Sequence, residues 1–321
     1  MLTPRRPSAR VSTLQARVLS PRGFAWENAE VEIRPADERP ELKYAPGSNP
    51  GLQLAIWDWE GAGPPLLFVH ATSFHGRLWD QIIRLLPGRR ALAVEMRGHG
   101  RSSRSEPPYR WSLLGPDLVA VLEHLRLRDV VAIGHSMGGY AVARAAYRRP
   151  DLFARLVLVD PTIFPPEMYG RPPYDVSFIQ RRRAAWNSPD EMFERFHGRE
   201  PFANWKPEIL RDYCEFGLLR NGNGFVLACP PELEASVYMN SVSSESDPYP
   251  EIPQIRQKVI LIRAGITRRP EHFDLAASPT AADLAGKFQN AREVVLEERS
   301  HYIPMECPEL VAEEVRRSID R

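Results

Sequence analysis

The chain has 321 residues, 43% of them hydrophobic, which is enough for a sizeable core and longer than the commonest single domain. Its 42 Lys and Arg balance 41 Asp and Glu to a net charge of +1, which removes the electrostatic case for a nucleic-acid or membrane-surface partner. No apolar run approaches the ~20 residues of a membrane helix. The N-terminal segment lacks the apolar stretch of a signal peptide, and Cys214, Cys229 and Cys307 have neither disulfide-framework nor metal spacing. A soluble, reduced, cytoplasmic protein without metal or cofactor is expected.

From the N-terminus, β pieces are expected near 14–20 and 29–34, within a Pro- and Arg-rich arm. LQLAIWDWEG (52–61) and PLLFVHA (65–71) read as strands, RLWDQIIRLL (77–86) as a helix and ALAVEM (91–96) as a buried strand. DLVAVLEHLRL (117–127) is an amphipathic helix, VVAIGHS (130–136) a strand, GYAVARAAYRR (139–149) a helix and RLVLVDP (155–161) a strand. Buried apolar runs separated by helices imply parallel βαβ units in a doubly wound sheet. From about 165 to 250 the rhythm breaks into segments of helical periodicity such as DEMFERF and PEILRDYCEFGLL. This stretch reads as a mostly helical cap inserted between two parts of one core, 1–164 and 251–321. The α/β rhythm resumes with strand KVILIRAG (258–265), helix PTAADLAGKF (279–288), strand EVVLEE (293–298) and helix PELVAEEVRRSI (308–319).

Gly134-His135-Ser136-Met137-Gly138 fits G-x-S-x-G, and it falls between an expected strand and an expected helix, the context that motif requires. A serine on a sharp strand-to-helix turn has unfavourable backbone angles, and side chains two residues either side would collide with neighbouring elements. Its hydroxyl would face the crevice at the carboxyl end of the sheet, together with the free N–H groups of the following helix. A hydroxyl needs a base to act as a nucleophile at neutral pH. Of the eight histidines, His301 follows the last expected strand and so lies at the same edge as Ser136. His135 adjoins the serine but should leave the turn in another direction, His99 lies in a Gly-flanked loop, and His124 falls within a helix.

With these residues in view, the chain resembles the α/β-hydrolase superfamily, in its esterase, lipase and C–C hydrolase group. FVHATSFHGRLWD resembles the loop after the third strand, VEMRGHGRSS the D-x-RG-x-G-x-S loop, and AIGHSMGG the nucleophile elbow. RSHYIPMECPELV resembles the block around the catalytic histidine. The resemblance implies the α/β-hydrolase fold with a helical cap after the sixth strand, and a Ser–His–acid triad. QRRRAAWNSPDEMFERF bears a weaker likeness to peroxisomal acyl hydrolases and fungal toxin-biosynthesis hydrolases.

The family places the acid after the seventh strand or, in some branches, after the sixth. The usual Asp is missing after KVILIRAG, where the first acids are Glu271 and Asp274, whereas Asp160 ends the sixth strand. Asp160 is favoured, with Asp274 as the alternative. The oxyanion donors implied are the backbone N–H groups of Met137 and Thr72, with His70 and Phe74 shaping the loop. Serine at position 136 argues against epoxide hydrolases and haloalkane dehalogenases, which use Asp there.

Trp186, Trp205, Phe193, Phe196, Phe202, Tyr169 and Tyr174 all fall in the insertion, and aromatics above such a centre suggest an apolar acyl or alkyl pocket. The run Arg181-Arg182-Arg183 reads as a solvated face, with attraction of a substrate carboxylate as the alternative, and His75 as either substrate-facing or superficial. The leading expectation is a carboxylesterase acting on a small-molecule ester through an acyl-enzyme at Ser136. C–C bond, lactone or thioester hydrolysis at the same centre is the alternative, and a low-turnover ligand receptor on a hydrolase scaffold is the third.

Overall fold

The structure, a computed structural model, describes residues 12–19, 26–34, 38–266 and 274–319. Its main sheet has eight strands: β1 Glu41–Pro46, β2 Gln53–Trp59, β3 Ala62–Val69, β4 Arg89–Val94, β5 Val130–His135, β6 Phe153–Val159, β7 Lys258–Ala264 and β8 Ala291–Leu296. They lie in the order β8-β7-β6-β5-β3-β4-β2-β1. All pairs from β4 to β8 are parallel, while β2 runs antiparallel to both β1 and β4. The strand order turns back between β3 and β5, the kind of switch point where open α/β sheets bind ligands.

Helices flank the sheet: α1 Asp80–Arg84, α2 Leu114–His124 and α3 Met137–Arg148 in the first half. Those of the insertion are α4 Ser177–Gln180, α5 Pro189–Phe196, α6 Pro207–Phe216 and α7 Pro231–Met239, and the chain ends with α8 Ile303–Glu306 and α9 Pro308–Ile319. The two-residue period of a strand sends alternate side chains to opposite faces. On β3, Leu67 and Val69 join the core under α2 and α3, whereas Leu66 and Phe68 join the core under α1 and α9. β5 is buried along its whole length, as a central parallel strand covered on both faces must be.

The β pieces expected in the arm form an antiparallel hairpin, Ser12–Leu19 with Trp26–Ile33. Three local features differ from the sequence reading. A further strand, β1, pairs antiparallel with β2 at the sheet edge. The insertion holds a three-stranded antiparallel sheet (Ala185–Trp186, Leu218–Asn221, Gly224–Leu227) besides its helices, because Gly217 ends α6 and Leu218-Leu219 enter a tight hairpin instead of a further helical turn. The helix expected over 279–288 is reduced to a 3-10 turn at Leu284–Lys287. Its first residues are drawn elsewhere: the Ala281 N–H donates to the Ile163 carbonyl and the Thr280 hydroxyl to the Pro161 carbonyl. Tertiary hydrogen bonds outweigh local helix propensity here.

The insertion follows β6 and packs its apolar side chains against the core. Trp186, Trp205, Ile209 and Tyr213 form one cluster with Phe74 and Tyr302, which belong to the loops after β3 and β8. At the edge of this contact, Asp212 on α6 accepts a hydrogen bond from Gln81 on α1 at 2.7 Å, and Asp80, Arg77 and Arg84 lie nearby. Burial first, and then the Asp80 carboxylate, push Asp212 from an ordinary 3.8 up to about 7, with Gln81, Arg77 and Arg84 opposing. An acid whose folded-state pKa is raised binds more protons folded than unfolded, so stability falls as pH rises between those two values. Asp212→Asn is therefore expected to flatten the decline in stability between about pH 4 and pH 7, read from urea midpoints across that range.

Candidate active site

The carboxyl ends of β3, β5 and β6 lie side by side, and each continues into a loop that carries site residues. Ser136 ends β5 and begins α3 with φ 57° and ψ −120°, backbone angles that few non-glycine residues adopt. Packing holds the strained turn. A Cβ on Gly138 would lie 2.2 Å from the Val69 carbonyl oxygen, and one on Gly134 would lie 2.4 Å from the Gly138 carbonyl oxygen. Only glycine lets the first turn of α3 press against the ends of β3 and β5. The Ser136 N–H donates to the Val159 carbonyl, and the Ser136 carbonyl accepts from Thr162, which ties the turn to β6.

His301 follows β8 and lies 2.8 Å, Nε2 to Oγ, from Ser136. Its Nδ1 lies 2.7 Å from Asp160 Oδ2. A neutral imidazole fits this arrangement by donating Nδ1–H to the carboxylate and accepting the serine proton at Nε2. Asp160, fully buried at the end of β6 with φ 40°, uses its other oxygen for the Ala264 N–H, the Ser278 hydroxyl and the Thr280 hydroxyl, at 3.0, 2.7 and 3.1 Å. Asp274 is exposed and accepts from the Ala276 N–H, away from the imidazole's carboxylate contact, and Glu271 lies outside the described residues.

Met137 is the first residue of α3, so its N–H has no partner within the helix. Thr72, on the loop after β3, lines the same cavity as Ser136 and His301. That cavity, of ≈ 160 Å³, is walled largely by Phe74, Phe196, Phe202, Tyr213 and Tyr302. Trp186 and Trp205 pack in the interior of the insertion, while Tyr169 and Tyr174 gather around Phe164.

Several site residues carry no sequence signal of their own. Thr162 places its hydroxyl 3.0 Å from Ser136 Oγ. His135, expected to point away, lies with its ring 4.9 Å from that of His301, and its Nε2–H donates to the His301 carbonyl at 2.8 Å. Burial first, and then His301, hold His135 well below the ordinary histidine range, so it remains the neutral donor that this bond needs. His75 faces neither substrate nor solvent. It is buried, stacks on Tyr213, and is pushed by burial down to about 3. His70 accepts the Met96 N–H, and His99 contacts the Arg97 carbonyl, so both order backbone. Arg182 departs from the expected solvated face, since it lines the cavity and pairs with buried Glu234.

The sheet order, the glycine-walled serine turn and the insertion after β6 define a class, the α/β-type hydrolases. Residues 66–314 match the alpha/beta hydrolase family, and the chain belongs to it. Among its relatives is 2-(acetamidomethylene)succinate hydrolase of Mesorhizobium japonicum, 23% identical over 81% of this chain and 90% of that protein. An esterase of Mycobacterium tuberculosis is 38% identical over 32% of this chain and 35% of that protein. Among solved structures, an E-2-(acetamidomethylene)succinate hydrolase superposes with a TM-score of 0.70 at 21% identity, covering 88% of this chain and all of the other. A peroxisomal alpha-beta-hydrolase of Saccharomyces cerevisiae superposes with a TM-score of 0.67 at 18% identity, covering 98% and 90%. Among the described residues, no helix is long and apolar enough to cross a membrane, and no cluster of three or more His, Cys, Asp or Glu side chains is arranged to hold a metal ion.

Asp160→Asn is expected to lower kcat on an ester by far more than Asp274→Asn, because only Asp160 contacts the imidazole. Steady-state rates of the two variants give the ranking, and the reverse order would move the acid's role to Asp274.

Proposed function

We propose that this protein is a serine carboxylesterase that cleaves a small-molecule ester with an apolar acyl or alkyl part. The observation that carries this reading is the continuous contact from Ser136 through His301 to Asp160, at 2.8 and 2.7 Å. Ser136 Oγ attacks the ester carbonyl while His301 Nε2 takes its proton, and Asp160 steadies the imidazolium that forms. The N–H groups of Met137 and Thr72 receive the negative charge that develops on the carbonyl oxygen, at about 3–4 kcal/mol each. The tetrahedral adduct collapses, the alcohol leaves with the proton from His301, and an acyl-enzyme remains on Ser136. Water then gives a proton to His301, attacks the acyl carbon, and releases the acid and the free serine.

The aromatic walls of the cavity support an apolar substrate, and likeness to esterases supports ester chemistry. A second reading keeps the same centre for C–C, lactone or thioester hydrolysis. It is favoured by likeness, over 90% of its length, to a hydrolase whose name gives a substrate other than a simple ester.

Ser136→Ala is expected to lower turnover of 4-nitrophenyl butyrate about a thousandfold or more, and a fluorophosphonate probe should label the wild type alone. Equal turnover by both proteins would sink the proposal.

A further inference from the structure

We infer that Arg182 and Glu234 form the pocket's specificity element and select a substrate bearing an uncharged oxygen acceptor, a keto or second ester carbonyl, a few bonds from the scissile carbonyl. This inference rests on the esterase reading and names the substrate class within it. Both residues line the cavity above Ser136, whose other walls are mostly apolar or aromatic. Arg182 reaches it from the end of α4 and Glu234 from α7, and the two are ion-paired with Glu234 almost fully buried. Arg182 Nη2 also stands 3.5 Å from the Tyr213 hydroxyl.

A guanidinium has five N–H donors in a rigid fork, and these two contacts leave donors for a ligand. The Arg182 side chain keeps 27% of its surface accessible, although its partner keeps 1%. Glu234 is in turn held by the Ser73 side chain, on the loop that carries Thr72. The guanidinium is thus anchored by Glu234 while part of its surface stays accessible at the cavity it lines.

Charge decides which acceptor fits. Glu234 already balances Arg182, and buried Asp160 stands behind His301. A ligand carboxylate would leave the chamber with an uncompensated negative charge, which is costly in a poorly solvated site. A neutral carbonyl oxygen accepts from the open N–H edge without that cost. The cavity volume of ≈ 160 Å³ holds only a short acyl group, so such an oxygen lies close to the ester.

The test compares three esters of similar length: methyl levulinate with a keto group, methyl pentanoate with none, and monomethyl succinate with a carboxylate. The expected kcat/KM order places levulinate about tenfold or more above both others, the range of a hydrogen bond to a charged donor. Replacing the pair together (Arg182→Met with Glu234→Gln), so that no lone charge is buried, is expected to bring the levulinate-to-pentanoate ratio close to one. Calorimetric Kd values on Ser136→Ala protein, which cannot form an acyl-enzyme, should follow the same order. Levulinate and pentanoate binding alike, or succinate binding best, overturns the assignment even if esters are hydrolysed. Absence of turnover with the Kd order intact removes the esterase reading and leaves the pocket assignment standing. The order in protein with Arg182 intact decides the matter should the double variant not fold.

Discussion

The first turn of α3 presses so closely against the end of β3 that position 138 has no room for a single methyl group. That constraint places the free N–H end of α3 beside the loop carrying Thr72, and it holds Ser136 in backbone angles that the chain alone would avoid. The turn is over-determined, since β5 leads into it, α3 leaves it, and β6 bonds to it through Val159 and Thr162. The strain at one residue is carried by packing distributed over three elements.

The same logic extends to the imidazole. His301 belongs to the loop after β8, and His135 holds that loop from the Ser136 turn by donating to its carbonyl. Serine and imidazole are thus joined twice, once through Oγ and Nε2 and once through a neutral neighbour. The apolar cluster of Phe74, Trp205, Tyr213 and Tyr302 then closes over the site, linking the loops after β3 and β8 to the insertion.

What the sequence revealed followed from how local each signal is. The buried runs that became β3 to β8 and the glycines around Ser136 are written in short contiguous stretches, and their roles in the fold are readable there. The arm's β pieces, 14–20 and 29–34, correspond to the hairpin with boundary shifts of a few residues. Ser278, Thr280 and Thr162 are ordinary hydroxyl residues whose meaning depends on partners 118, 120 and 26 residues away in the chain. Local propensity also misread 279–288, because helix-forming residues there serve tertiary bonds instead. Arg182 was hidden inside a basic run whose members point in different directions: Arg183 pairs with Glu191 and stacks on Trp186, while Arg182 turns inward.

Asp160 emerges from a strand that is hydrogen-bonded directly to the one bearing the serine. The span from hydroxyl to carboxylate is therefore governed by the fixed spacing of adjacent strands, with the imidazole from the loop after β8 bridging them. The described part of the connection after β7 supplies the Ser278 and Thr280 hydroxyls that hold Asp160 and the Ala276 carbonyl that accepts the His301 N–H, so one segment seats both the carboxylate and the imidazole loop. Loss of either hydroxyl would then loosen the carboxylate's seat while leaving the serine turn intact.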